Sequence, residues 1–276
     1  MTMSDQPAYE VLALRYATTY LHRPRRENFF PGMDLHDGEM PLDYYVWAVR
    51  GEGRCLLVDT GFGEEAAQTR NRILLHHPAD LLRQAGIDPE TITDVILTHL
   101  HYDHAGNLDR FPKARFHLQE SEMRFATGRH MCHSCLRAPF ECRDVTEAVK
   151  IVFDGRMVFH DGDAEIFPGI EVFRMGGHSD GLQVVRVATA RGKVLLASDA
   201  FHFNENRTRR APFPIVYHVG EMLEGFIRCE ELVGGDADLL IPGHDPDVRL
   251  RWPILSADLP DVVRLDLHPL KRTLKK

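Results

Sequence analysis

Three observations predict a layered α+β fold. Short apolar runs rich in β-branched residues recur along the 276-residue chain, each closed by a turn or by a polar residue. Two segments carry helix punctuation instead. Pro78-Ala79-Asp80-Leu81-Leu82-Arg83-Gln84-Ala85 has a proline at its start and Gly86 just past its end, and Val219 to Leu232 places Met222, Leu223, Phe226 and Ile227 on one face. Finally, 43% hydrophobic content can bury a full layered core, and no charged, Pro-rich or Gly/Ser-rich linker divides the chain. Residues 1–276 therefore read as a single domain.

Taken in order, the first clear strand is Leu42-Asp43-Tyr44-Tyr45-Val46-Trp47-Ala48-Val49. Before it, Phe29-Phe30-Pro31-Gly32-Met33-Asp34-Leu35-His36 is a loop whose aromatics either line a pocket or fold back onto the core. Arg54-Cys55-Leu56-Leu57-Val58 runs into Asp59-Thr60-Gly61, where Asp59 either orients a nearby imidazole or caps the turn. Asp94-Val95-Ile96-Leu97-Thr98 runs into His99-Leu100-His101-Tyr102-Asp103-His104. Later, Ile170–Met175 leads into Gly176-Gly177-His178, Lys193–Ser198 into Asp199, and Asp238–Gly243 into His244. Strands that each end in a donor are how a sheet fold gathers distant residues at one edge.

The densest of these segments is a metal site in outline. On an extended strand end His99 and His101 point the same way, and a following helical turn swings Asp103 and His104 together. Mixed nitrogen and oxygen donors suit Zn²⁺, with Mn²⁺, Fe²⁺ and Co²⁺ as options. A solvated histidine-rich loop is the competing reading in a chain with 16 histidines. Four donors within six positions, directly after a buried strand, favour the metal. Gly177 and Gly243, each just before a donor histidine, are expected where backbone approaches an ion closely.

Composition narrows the partners. A net charge of −8 argues against a nucleic-acid substrate, which needs a basic face. The runs Arg23-Pro24-Arg25-Arg26 and Arg207-Thr208-Arg209-Arg210 are short and read as solvated or salt-bridging surface. Met1–Pro7 lacks a cationic-then-apolar leader and no run approaches a membrane span of about 20 residues, so a cytoplasmic protein is expected. Five cysteines form no secretory framework. Cys55 and Cys229 read as core residues, and Cys132-His133-Ser134-Cys135 as a loop of reduced thiols, with zinc binding and redox cycling as its other readings.

The pattern His99-X-His101-X-Asp103-His104, followed by His178, Asp199 and His244, resembles the metallo-β-lactamase superfamily from the Asp59 strand to His244. The resemblance implies a four-layer αβ/βα sandwich with a two-metal site along one edge of the sheets. By the same resemblance, His99, His101 and His178 hold one divalent ion, and Asp103, His104 and His244 hold the other. Asp199 bridges both, and zinc is the first expectation for each. Within the superfamily the chain is most similar to the N-acyl-homoserine lactonases and related lactone hydrolases, on its length, Pro242-Gly243-His244-Asp245 and Ser198-Asp199-Ala200.

That likeness implies opening of a lactone by a hydroxide bridging the ions, with Asp103 passing a proton to the leaving group. One position departs. The lactonases carry a tyrosine three residues after the bridging aspartate, and here it is His202, an imidazole expected to donate to the reacting carbonyl with a charge that varies near neutral pH. Tyr217 is another source of a hydroxyl. A phosphotriesterase or thioesterase would use the same site, whereas a mononuclear iron sulfur dioxygenase would leave Asp199 nothing to bridge. The expected partner is a small-molecule substrate, without nucleic acid or membrane, and a homodimer is left open.

Overall fold

The computed structural model describes residues 7–271, so the leader-free reading of Met1–Pro7 lies almost wholly outside the described residues. The strands are β1 (Glu10–Thr18), β2 (Asp43–Gly51), β3 (Arg54–Val58), β4 (Ile73–Leu74), β5 (Asp94–Ile96), β6 (Arg115–Gln119), β7 (Met157–His160), β8 (Ala164–Phe167), β9 (Ile170–Arg174), β10 (Gln183–Thr189), β11 (Gly192–Ser198), β12 (Leu240–Pro242) and β13 (Val262–Arg264). One sheet runs β13-β1-β2-β3-β5-β6-β7, with β4 on β1, and the other runs β12-β11-β10-β9-β8. The inner strands are buried on both faces, as β2 and β11 illustrate, so each sheet is covered twice. The helix Pro78–Gln84 packs on β1, Val219–Leu232 packs on β11, and β1 meets β10 between the sheets. The result is the expected α+β sandwich. Among the described residues no helix is long and apolar enough to cross a membrane.

Strand direction explains where the donors gather. β3, β5, β6 and β7 are mutually parallel, so the chain leaves β3 and β5 at the same edge. In the other sheet β9 and β11 both pair antiparallel with β10, and β12 is parallel to β11. The carboxyl ends of β9, β11 and β12 therefore also share one edge, the usual place for a site in an open sheet.

Several bounds differ from expectation, each for a local reason. β5 stops at Ile96 because the Thr98 amide donates to the Asp59 carboxylate at 2.7 Å and not to a neighbouring strand. β12 starts at Leu240 because Asp236 caps a 3₁₀ turn over Ala237–Leu239. On the helix Val219–Leu232, Met222 and Phe226 are buried and Leu223 packs on the core, but Ile227 is 42% exposed. It stands one residue, about 100°, around from Phe226, which carries it off the buried stripe.

The two glycines beside donors allow close chain packing. A Cβ on Gly177, whose φ is +80°, would lie 2.5 Å from the Met222 backbone nitrogen, and one on Gly243 would lie 2.6 Å from the Ser198 carbonyl oxygen. These contacts lock the His178 loop to a helix and the His244 loop to the end of β11. Gly177→Ala should therefore cost about 1–3 kcal/mol for the clash, beyond the roughly 1–2 kcal/mol for a left-handed alanine. Gly155→Ala, at φ +70° with nothing within 4 Å, should cost only the second amount. Urea unfolding of both variants measures the gap, and equal destabilisation would remove the packing explanation.

In the first turn of the helix Cys142–Phe153, burial and then the charge of Glu141 raise the Asp144 carboxyl to about 7. A raised carboxyl binds its proton more tightly in the folded state. Its stabilising contribution is full below the unfolded value near 4 and is lost as pH rises through about 7. Asp144→Asn should thus gain on wild type across that window, by about 4 kcal/mol at most. Denaturation midpoints of the two proteins at pH 4.5 and 8 test this, and a constant difference would refute it.

Candidate metal centre

The short helix Tyr102–Ala105 follows the Leu97–His101 loop, and it swings Asp103 and His104 to the same edge as His99 and His101. All seven predicted donors converge there. One donor atom from each of His99, His101, His178 and Asp199 lies within 4.8 Å of the others, and so do atoms from Asp103, His104 and His244. Asp199 stands between the groups. Its Oδ2 is 3.1 Å from His178 Nε2 and 3.8 Å from His99 Nε2, whereas Oδ1 is 3.0 Å from His244 Nε2 and 3.4 Å from His104 Nε2. Asp103 Oδ2 lies 3.6 Å from His104 Nε2 and 3.7 Å from His244 Nε2.

Four of the five imidazoles are engaged at their backs. His104 Nδ1 contacts Asp59 Oδ2 at 2.7 Å, His178 Nδ1 the Ile215 carbonyl at 2.8 Å, His244 Nδ1 the Asp43 carbonyl at 2.9 Å, and His99 Nδ1 the Thr98 hydroxyl at 3.1 Å. A ring that donates from its back nitrogen turns a bare lone pair to the front, as a ligating histidine does. The Nε2 atoms of His99 and His104 are buried with no hydrogen-bond partner, and His178 Nε2 faces His101 Nδ1 at 2.9 Å. Buried, unpaired nitrogens converging with carboxylates fit a metal site.

Electrostatics agree with that fit. Burial, then neighbouring imidazoles, hold His99 and His101 well below the ordinary histidine value, which keeps them neutral as ligation requires. Burial also opposes charge on His104, but the carboxylates of Asp199, Asp103 and Asp59 outweigh it and raise that ring well above the ordinary value. A cation would compete with this proton. Burial would raise Asp199, yet His202, His244, His104 and His178 together pull it well below the usual carboxylate range.

Asp59 adopts φ 60°, which a non-glycine residue rarely takes, and so does Ser198, at φ 45°, just before Asp199. Fully buried, Asp59 accepts from the Thr98 amide at 2.7 Å, the Thr98 hydroxyl at 2.8 Å and His104. It orients an imidazole and also ties β3 to the β5 loop.

His202 departs from expectation. Its Nε2 lies 3.1 Å from Asp199 Oδ2, and its ring stacks on Phe213 at 3.6 Å between centroids, with 7° between planes. Burial lowers it to about 3, against the raising pull of Asp199. His202 also forms a further close donor group with Asp199 and His244. Tyr217 lines the same cavity, with its ring against Phe125 and His130.

The cavity over the cluster has a volume of about 810 Å³. The Phe29–His36 loop meets both expectations, since Phe29 is buried yet lines the cavity and Leu35 stands exposed at its rim. Arg25 and Arg209 pair with Asp34 and Glu205, so the two basic runs are salt-bridging loops that pin this segment. Cys132 and Cys135 are exposed free thiols, and the donor groups found among the described residues do not include them.

Sequence reasoning missed Glu122. Fully buried, it accepts the Leu100 amide at 3.0 Å and the Gly181 amide at 2.9 Å, clamping the His99–His101 loop to the His178 loop. The only hint was an acidic residue inside a helix, which is ordinary.

A layered sandwich with a buried histidine and aspartate cluster at its sheet edge defines a metal-dependent hydrolase. The metallo-beta-lactamase superfamily profile matches residues 40–244, and the chain belongs to that superfamily. An N-acyl homoserine lactonase of Bacillus cereus is 28% identical over 219 residues, covering 74% of this chain and 82% of its own. The N-acyl homoserine lactonase AiiB of Agrobacterium fabrum is 34% identical over 190 residues, 61% of this chain and 66% of that one. Among solved structures, a quorum-quenching N-acyl homoserine lactone lactonase superimposes with a TM-score of 0.73 at 22% identity, over 89% of this chain and 95% of that one. An N-acyl homoserine lactone hydrolase with N-hexanoyl-L-homoserine at its catalytic metal center gives 0.72 at 21% identity, over 89% and 96%.

Asp59→Asn keeps a residue that tolerates positive φ but removes the carboxylate behind His104. Zinc affinity, measured by competition with a chromogenic chelator, should fall about 10–100-fold. Unchanged affinity would leave Asp59 a turn cap only.

Proposed function

We propose that this chain is a dinuclear metal-dependent hydrolase that opens a small lactone or a related ester. The observation that carries the reading is the Asp199 carboxylate, with one oxygen turned to each donor group. His99, His101 and His178 would hold one ion, and Asp103, His104 and His244 the other, with Asp199 shared. Nitrogen-rich donors with two carboxylates favour zinc. Such ions supply Lewis acidity, polarising a carbonyl and lowering the pKa of a coordinated water from 15.7 towards about 7.

The protein's own groups do the rest. Asp103 lines the cavity, so a carboxylate oxygen is available to take a proton and return it to the departing alkoxide. His202 donates from Nε2 to Asp199 Oδ2, and its stacking on Phe213 fixes that ring, so it holds the shared carboxylate in place instead of reaching for the substrate. Phe213, Ile215 and Val216 line the cavity and exclude water from the reacting bond. The lactone itself comes from likeness to N-acyl homoserine lactonases. A mononuclear dioxygenase would leave the two-sided placement of Asp199 without a purpose.

Metal analysis of purified protein should find about two ions per chain, and Asp199→Ala about one. The same change should lower kcat/KM at least 100-fold, beyond the usual loss from an outer-shell partner. A panel of lactones, aryl esters, thioesters and phosphotriesters with zinc-loaded enzyme selects the substrate class. Full activity of Asp199→Ala, or preference for any class but lactones and esters, would overturn the proposal.

A further inference from the structure

Four arginines line the cavity, and three have carboxylate partners. Arg23 pairs with Glu27 at 3.2 Å, Arg70 with Glu141 at 2.7 Å, and Arg26 with Asp37. Arg72 forms no ion pair among the described residues. Its Nε donates to the Tyr102 hydroxyl at 3.2 Å and its Nη1 to the backbone carbonyls of Arg70 at 2.6 Å and Asn71 at 3.3 Å, and Nη2 has no protein partner among the described residues. A guanidinium is always charged, and its planar fork matches a carboxylate.

The hydroxyls beside it point to the same kind of ligand. Because Tyr102 accepts from Arg72, its own proton goes to the Tyr44 hydroxyl, 3.4 Å away. Tyr44 then has a proton to donate and no acceptor among the described residues. Its ring packs edge-on against His244 at 5.0 Å, and Tyr102 lies between His101 and Asp103 in sequence, so this wall abuts the metal end of the cavity. Burial, and the like charge of Arg72 among its neighbours, lower Arg23, which places a second guanidinium nearby. Arg72 Nη2 and the Tyr44 hydroxyl have no hydrogen-bonded acceptor among the described residues, and the Asp103 carboxylate acts on Arg72 through charge alone. The lining also includes the apolar Phe125, Leu136, Pro139 and Val216.

We propose that the substrate carries a carboxylate of its own, besides the ester bond that is cut, and that this carboxylate docks on Arg72 and the Tyr44 hydroxyl. The substrate class is then an acidic lactone or ester with an apolar body. This rests on the hydrolase reading above and narrows it.

The test uses zinc-loaded enzyme and a γ-lactone whose short side chain ends in a carboxylate, compared with the same lactone ending in the primary amide. Wild type should favour the acid over the amide tenfold or more in kcat/KM, mostly through KM, and added salt should raise KM for the acid alone. Arg72→Gln should collapse that ratio to about one, and Arg72→Lys should retain part of it. Tyr44→Phe leaves every backbone bond of Arg72 intact and should lower the ratio several-fold, so a misfolded Arg72 variant does not end the test. Equal use of acid and amide by wild type, or a ratio unchanged in Arg72→Gln and Tyr44→Phe, overturns the proposal.

If neither lactone turns over, the hydrolase reading fails separately. Calorimetric titration of glutarate against glutaramide then decides the docking claim. Glutarate binding that is weakened tenfold or more in Arg72→Gln supports it, and binding that is absent or unaffected refutes it.

Discussion

One buried carboxylate, Asp199, with imidazole nitrogens turned to both of its oxygens, sets the terms for the rest of this structure. A charge in that position is costly unless something compensates it. Here the compensation comes from histidines carried on both sheets, so the two layers must meet at a fixed distance and register. That requirement accounts for several features with no other evident purpose. Gly243 lets the end of β12 touch Ser198, the positive φ of Ser198 turns the chain sharply into Asp199, and Glu122 pulls the His99 and His178 loops onto one acceptor.

The same cluster is a weak point in the folded chain taken by itself. The buried, unpartnered nitrogen of His99 costs about 1–3 kcal/mol. The surrounding layers carry that cost because the strands beneath are buried on both faces. A ligand that binds only the folded cluster repays it by mass action, which couples occupancy of the site to stability. Strain and desolvation thus concentrate where the chemistry is, and ordinary packing beneath supports them.

Much of this was legible in the sequence, because the donors follow a strand-then-ligand rhythm that apolar patterning reveals. His99, His101, Asp103, His104, His178, Asp199 and His244 all arrive at one place, and the helices Pro78–Gln84 and Val219–Leu232 form as punctuation predicts. What escaped depends on contacts between distant segments. The supports behind His178 and His244 are the carbonyls of Ile215 and Asp43, which any residue could provide. Glu122 sits in a helix with nothing local to single it out. The surroundings of His202 were not legible either, because they come from distant segments. Its ring stacks on Phe213 and lies buried against Asp199.

The cavity also bears on how one scaffold serves different substrates. The His202 ring stands against Asp199, and elsewhere in the cavity lining Arg72, Tyr102 and Tyr44 form a chain of hydrogen bonds. The edge of the sheets, with its seven donors, is tied to strand ends and tolerates little change. On the Arg72 wall Asn71, in a left-handed conformation, presents Arg72 from a turn, whereas Tyr44 stands in β2 and Tyr102 opens the helix Tyr102–Ala105. On the proposed reading, substrate selection rests on Arg72, presented from a turn, while the metal-binding donors follow strand ends that the sheets fix in place.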